Sequence, residues 1–179
     1  MIGNSQLDSL LTREFVESII KIEKEALIEH GALIAKLHIL HHSGKTIMVG
    51  LSQMPASGNK KRKMLQNLGM QLRAEDGSIK EALFIAESWM VKATNPDCDK
   101  FAPSEHPARE EVIVIVGRNE EKSRSLMALQ PFSRDRKGAP VWKEPLISIS
   151  EDGSVLTYEG ILDDLFIGAV QVLVPEMKA

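Results

Sequence analysis

The chain has 179 residues, of which 43% are apolar and 26% charged, and this composition predicts one globular domain over residues 1–179. A formal net charge of −3 supplies no overall positive field and does not favour nucleic acid as a partner. The first residues lack a secretory signal, no apolar run is long enough to span a membrane, and Cys98 is the single cysteine, so we expect a soluble cytoplasmic protein.

The first third of the chain predicts a helix followed by a β-hairpin. Thr12 can cap a helix whose apolar positions from Phe15 onward recur every three or four residues, and Gly31 can end it. Residues 32–40 and 46–51 are strand-like and flank a Ser-Gly turn that tolerates positive φ. Such a helix is expected to cover a sheet that contains this hairpin.

The remainder predicts a second helix, a run of strands and a third helix. Ser57 can cap the second helix, which ends near Gly77. Four β-rich segments follow without a helical period between them: residues 79–92, 112–116, 125–132 and 140–149. Because parallel strands need long crossover connections, this order predicts an antiparallel sheet. Residues 161–174 form the last predicted helix, which is apolar around more than half of its circumference.

Together these elements predict an α+β fold of order α-β-β-α-β-β-β-β-α, with a mainly antiparallel sheet of about six strands packed against three helices. Residues 112–116 are apolar on both faces of their strand. This strand should therefore be covered on both sides, or covered on one side and paired with another subunit on the other. Together with the apolar last helix, it indicates more apolar surface than one helix layer covers, and we expect a homodimer.

Glu87 is the sharpest candidate for chemistry, because strand alternation places it in a row of apolar side chains. A carboxylate removed from water in that row could act as an acid or a base. One alternative is a structural ion pair between Glu87 and an arginine of the neighbouring strand region. The candidate arginines are Arg109, Arg118 and Arg124. Another alternative is that this face is solvent-exposed and the opposite face forms the core. We favour the structural explanations.

Imidazole and carboxylate groups also occur on the first hairpin and in the loop of residues 94–109. They are His38, His41, His42, Glu105 and His106. Zinc, iron and nickel sites use such groups, but no spacing here places two ligands on one side of a rigid element. Solvent-exposed turn histidines are the default, and we predict no metal and no cofactor. A hydrolase using Glu87, Glu105 and His106, with or without a metal, is kept as the alternative function.

The second helix opens with four cations, where the helix dipole already presents positive charge. They are Lys60, Lys61, Arg62 and Lys63. A phosphate, nucleic acid, or an acidic neighbour such as Glu75 or Asp76 of another chain could compensate them. With an aromatic content of 4%, the chain offers little for base stacking, so we favour a solvated first turn and keep nucleic-acid binding as a second alternative.

Two segments carry a resemblance. Glu87-Ser88-Trp89, and later Pro103-Ser104-Glu105-His106-Pro107-Ala108-Arg109-Glu110-Glu111, resemble an uncharacterised microbial protein family in which a strand ending in a similar Trp motif precedes a similar Pro-Ser-Glu-His-Pro loop. The resemblance covers about the middle third of the chain and implies no activity. Our interpretation is a non-enzymatic binding or regulatory protein.

Overall fold

A computed structural model describes residues 8–55, 57–92, 94–95, 97, 100, 102, 104–151 and 161–171. This part of the chain contains three helices and seven strands: α1 (Arg13–His30), β1 (Lys36–His41), β2 (Thr46–Gly50), α2 (Gly58–Asp76), β3 (Ile79–Met90), β4 (Glu110–Asn119), β5 (Ser125–Arg134), β6 (Pro140–Trp142), β7 (Leu146–Ser150) and α3 (Ile161–Gln171). The predicted α+β fold and the order of its elements are confirmed. Among these residues, no helix has both the length and the apolarity that crossing a membrane requires.

One sheet holds all seven strands, in the order β2-β1-β3-β4-β5-β6, with β7 also paired to β5. Every neighbouring pair is antiparallel. The segment predicted as one strand over residues 140–149 is divided. β6 pairs with the end of β5 through Phe132 and Trp142, whereas β7 pairs with its beginning through Ala128 and Ile147. Pro145 lies in the interruption, where it has no N–H to give to a ladder.

α1 begins and ends where the sequence predicts. The Thr12 hydroxyl accepts a hydrogen bond from the Phe15 N–H at 3.2 Å, and this caps the first turn. Gly31 adopts a left-handed φ of 76° and donates its N–H to the Leu27 carbonyl. α1 then packs on one face of the sheet, which we call the α1 face, together with Leu10 and Leu11.

The opposite face of the sheet is covered by α2 and α3. The two faces carry separate apolar clusters, one that includes Ile113 and Ile115 of β4 and one that includes Val112, Val114 and Val116. The first alternative for the central strand, covered on both sides, is therefore the one observed. Because both apolar faces of β4 are covered within one chain, the central strand gives no support to the predicted homodimer. A homodimer would have to form through another surface.

Two glycines allow close approaches between packed elements. A Cβ atom at Gly117 of β4 would overlap the side chains of Leu83 and Leu11, and one at Gly168 of α3 would overlap the backbone of Gln66 in α2. Neither position has room for a larger residue unless the packed elements move apart. Gly117 thus lets the segment before α1 lie on the sheet, and Gly168 lets α2 and α3 touch.

Candidate functional site

Glu87 lies on the α1 face of β3, and both of its carboxylate oxygens are engaged. Oε2 accepts a hydrogen bond from the Leu33 N–H at 3.2 Å, and Oε1 lies 3.4 Å from Arg134 Nη2. The same guanidinium binds Glu111 through Nε, at 2.9 and 3.1 Å from its two oxygens. This Arg134 cluster, formed by Glu87, Glu111 and Arg134, ties β3, β4 and β5 to the connection after α1. The structural explanation of Glu87 thus has direct support.

The arginine partner differs from the predicted ones. Arg109 stacks over the Trp89 ring at 4.8 Å from its centroid, whereas Arg124 lies at the other end of the sheet and binds Glu151 at 3.1 Å. Glu87 instead pairs with Arg134, because the end of β5 reaches the same end of the sheet as Glu87. The contact of Arg109 with Trp89 also joins the two segments that carry the family resemblance.

The carboxylates of α3 form ion pairs with cations of other parts of the chain, including Lys122, which lies 3.1 Å from Asp163. Asp163 Oδ1 lies 2.7 Å from Arg118 Nη2, and Asp164 Oδ1 lies 3.3 Å from Arg62 Nε. Burial lowers the pKa of the Arg118 guanidinium below its ordinary value, and Asp163 opposes this shift. Arg118, a third predicted partner of Glu87, therefore pairs with Asp163 of α3 instead.

The four cations of α2 begin a helix whose N-cap residue, Ser57, makes no side-chain capping bond. Lys60 and Lys63 are exposed, but the pair of Arg62 with α3 supplies one compensating anion from the same chain. Asp76, considered as an anion from another chain, forms an ion pair with Lys45 of its own chain. The four-cation cluster is therefore a partly neutralised surface patch. Exposed pairs of this kind contribute about 0–1 kcal/mol.

The histidines occupy three different environments. His41, expected in an exposed turn, is buried, and its Nδ1 lies 3.1 Å from the Gly77 carbonyl. His42 contacts Glu120 at 3.1 Å, in an exposed pair. His106 is buried, and its Nδ1 accepts the Ala108 N–H at 2.9 Å, which closes the turn that leads into β4.

The hydrolase alternative gains no support from these placements. Glu105 is exposed at the surface next to the buried His106, and the oxygens of Glu87 already have partners. Within the described ranges, which omit positions 98 and 99, no group of three or more His, Cys, Asp or Glu side chains could hold a metal ion.

A buried carboxylate of β3 also has a structural role. Glu81 of β3 accepts hydrogen bonds from the Ser9 hydroxyl at 2.9 and 3.0 Å and from the Leu10 N–H at 2.6 Å. It borders a polar pocket of about 220 Å³, to which Arg124 and His42 also contribute. Because its oxygens hold the segment before α1, Glu81 acts as an anchor.

An apolar groove lies between α1 and the β1–β2 hairpin, and no pattern in the sequence predicted it. This hairpin groove has a volume of about 400 Å³ and is lined chiefly by Phe15, Ile19, Ile22, His38 and Met48. Ile22 is 54% exposed and Met48 is 65% exposed, so apolar side chains stand open to solvent here. Ligand sites in proteins are typically apolar concavities of about 300–1,000 Å³ with a few polar groups.

His38 is the titratable group that lines this groove. Burial lowers its pKa below the ordinary value, the nearby Lys36 acts in the same direction, and Glu23 opposes both. The imidazole is therefore neutral near pH 7. Its ring meets Phe15 edge-on, with the ring centroids 6.2 Å apart.

The open edge of β2 borders the groove. His41 N–H donates to the Lys45 carbonyl, and Leu51 N–H donates to the Ala35 carbonyl. At both ends of the hairpin, Lys45 and Leu51 thus direct their backbone hydrogen-bonding groups toward the partner strand. Because antiparallel ladders alternate, the residues between them direct N–H and C=O away from β1. These outward residues are Thr46, Met48 and Gly50. Among the described strands, β2 pairs only with β1.

Comparison of the chain with protein-family models, with curated proteins and with solved structures finds no match. The family resemblance stays a prediction.

Proposed function

We propose that the protein is a non-enzymatic binding protein that accepts an extended polypeptide strand at the open edge of β2. The observation that carries this proposal is that two of the three outward residues of β2, Thr46 and Met48, line an apolar groove. In strand addition, main-chain hydrogen bonds supply affinity and pockets for alternate side chains supply specificity. Both requirements are met at one place on this molecule.

The groove defines which strands would bind. A strand added beside β2 would place every second side chain on the α1 face, next to Met48 and within reach of Ile22. Both side chains are more than half exposed, and covering them removes apolar surface from water at about 25 cal/mol per Å². We therefore expect the partner segment to carry apolar residues at alternate positions.

The charged candidates support a binding role over catalysis. The Glu87 oxygens are held by Leu33 and Arg134, and the Glu81 oxygens by Ser9 and Leu10. Carboxylates committed to such contacts position structural elements and are poorly placed to transfer protons to a substrate. As part of the proposal we keep the cytoplasmic location, which the single cysteine favours.

The test is selection of phage-displayed linear peptides on the wild-type protein, followed by amide hydrogen exchange measured by NMR. Selected peptides should slow exchange of the Thr46, Met48 and Gly50 amides by about tenfold or more, because these amides gain carbonyl partners. Met48→Pro should weaken peptide binding, since proline removes an outward N–H that β1 does not use. Met48→Leu, which keeps that N–H, is the matched control and should bind peptides as the wild type does.

The proposal is wrong if the selected peptides leave these three amides unchanged, or if Met48→Pro binds them with unaltered affinity.

A further inference from the structure

We infer that the strand bound at the β2 edge is β2 of a second copy of this chain, so that two copies share one continuous antiparallel sheet. This inference rests on the proposed function, because it uses the same edge, and it adds the identity of the partner. It also provides an interface for the predicted homodimer, which the covered central strand β4 does not provide.

The backbone of β2 is self-complementary. Its outward residues are evenly spaced around Met48. In an antiparallel pair centred there, Met48 faces its own counterpart, and Thr46 faces the partner's Gly50. Each outward N–H then meets an outward C=O of the other copy. A two-fold axis through this point makes the interface isologous, as in most homodimers.

The side chains of β2 fit the same arrangement. The axis runs perpendicular to the sheet, so both α1 helices lie on one face and the two hairpin grooves join into a single trough. The two Met48 side chains would meet at its centre with an Ile22 on each wall, which covers the most exposed apolar groups of this region. On the opposite face, Ile47 would lie beside the partner's Val49, and such β-branched cross-strand pairs stabilise sheets.

The charge pattern permits this pairing. β2 has no charged residue, and the nearest charge, Lys45, is neutralised by Asp76. In the proposed register Lys45 lies opposite the partner's Leu51, so the two lysines stay apart. Proteins commonly protect sheet edges with charge, proline or very short strands. The other edge is formed by β6, which has only three residues and begins with Pro140, and by β7, which directly follows Pro145. β2 is longer than β6 and has no proline next to it.

The size of the contact sets the expected affinity. Stable interfaces bury about 1,200–2,000 Å² in total, more than a five-residue strand edge provides alone, so the groove side chains have to contribute. Interfaces at or below the lower end of this range are typically weak and transient, so we expect a dissociation constant of about micromolar magnitude.

Sedimentation equilibrium between about 1 and 300 μM tests the inference directly. The wild type should associate to a dimer over this range. Met48→Lys should weaken the dimer by about tenfold or more, because two ammonium groups would meet on the axis. Leu146→Lys, which places the same charge on an apolar strand residue of β7 that is 59% exposed, is the matched control and should leave the dimer intact.

A second variant and an exchange measurement keep the test independent of misfolding. Met48→Pro should also dissociate the dimer while circular dichroism shows an intact fold. In the wild type, protection of the Thr46, Met48 and Gly50 amides should rise with protein concentration.

A wild type that is strictly monomeric at the highest concentration overturns the inference, and so does a dimer that survives both Met48 variants. If that monomer still binds peptides that protect the three amides, the proposed function stands and only the identity of the partner is wrong. If peptides fail as well, the proposed function is wrong too.

Discussion

Lys36 on β1 reaches across to Glu23 on α1, with its Nζ at 2.9 Å from each carboxylate oxygen. The Glu23 side chain is 2% exposed, so the pair is largely withdrawn from water. Glu23 lies among the buried residues of α1, and its charge is tolerated there because β1 supplies a cation opposite it. The ion pair therefore links α1 to β1 and helps to position the helix on the sheet.

Removing the cation should be costly. Lys36→Met leaves a buried carboxylate without its partner and should lower the free energy of unfolding by about 3 kcal/mol. The double variant Glu23→Leu, Lys36→Met removes both charges and should lose clearly less than the single variant. Urea unfolding of both, with the exposed Lys21→Met as control, measures the difference. Equal losses in the single and double variants would contradict a buried ion pair.

The lowered pKa of His38 makes stability depend on pH. Since folding disfavours the protonated imidazole, its contribution is complete above the ordinary pKa of about 6.5 and is lost as pH falls through the lower pKa of the folded state. The free energy of unfolding should therefore fall as the pH drops below about 6.5. His38→Gln should reduce this fall, and NMR titration of His38 locates the pKa. An identical pH dependence in the variant would exclude His38 as its source.

The contact of α3 with α2 should depend on the absence of a side chain at Gly168. Gly168→Ala would push a Cβ atom into the Gln66 backbone, which cannot rotate away, and should destabilise the protein by about 1–3 kcal/mol. Gly58→Ala, at the start of α2, meets no atom within 4 Å and is the matched control. Thermal unfolding of both variants measures the difference, and equal melting temperatures would argue against this close helix contact.

The Arg134 cluster should contribute stability through the shape of its guanidinium. Arg134→Lys keeps the charge but cannot bind Glu111 through two bonds and reach Glu87 as well, so a loss of about 1–2 kcal/mol is expected. Arg136→Lys, in the exposed turn nearby, is the control. Hydrogen exchange supplies a local measurement, because the Leu33 amide should exchange faster in Glu87→Ala. Unchanged stability in Arg134→Lys would show that a simple positive charge suffices.

Features set by neighbouring residues could be predicted from the sequence. Thr12 and Gly31 mark the ends of α1 because capping and left-handed φ are properties of single positions. The antiparallel sheet followed from short connections between strands. The same reasoning found Glu87 on its strand and the possibility of an arginine partner.

Features that depend on strand alignment could not be predicted. Arg134 reaches Glu87 only because β5 ends at the same end of the sheet, and no spacing along the chain reveals that. The hairpin groove exists because α1 leaves β1 and β2 partly uncovered, and the sequence does not show where a helix will lie. For the same reason, the apolar faces of β4 suggested a partner subunit although helices of the same chain cover them.

The double coverage of β4 has a consequence for how the strands find their alignment. If β4 shifted by one residue, its valines and isoleucines would exchange faces of the sheet. Each face would still pack against apolar side chains, so the loss of hydrophobic burial would only weakly disfavour the shifted alignment. Gly117 penalises it instead, because sliding would put the side chain of Val116 or Arg118 against Leu11 and Leu83. The alignment of β4 with its neighbours therefore depends on the close contact at Gly117, because its hydrophobic pattern is nearly the same on both faces.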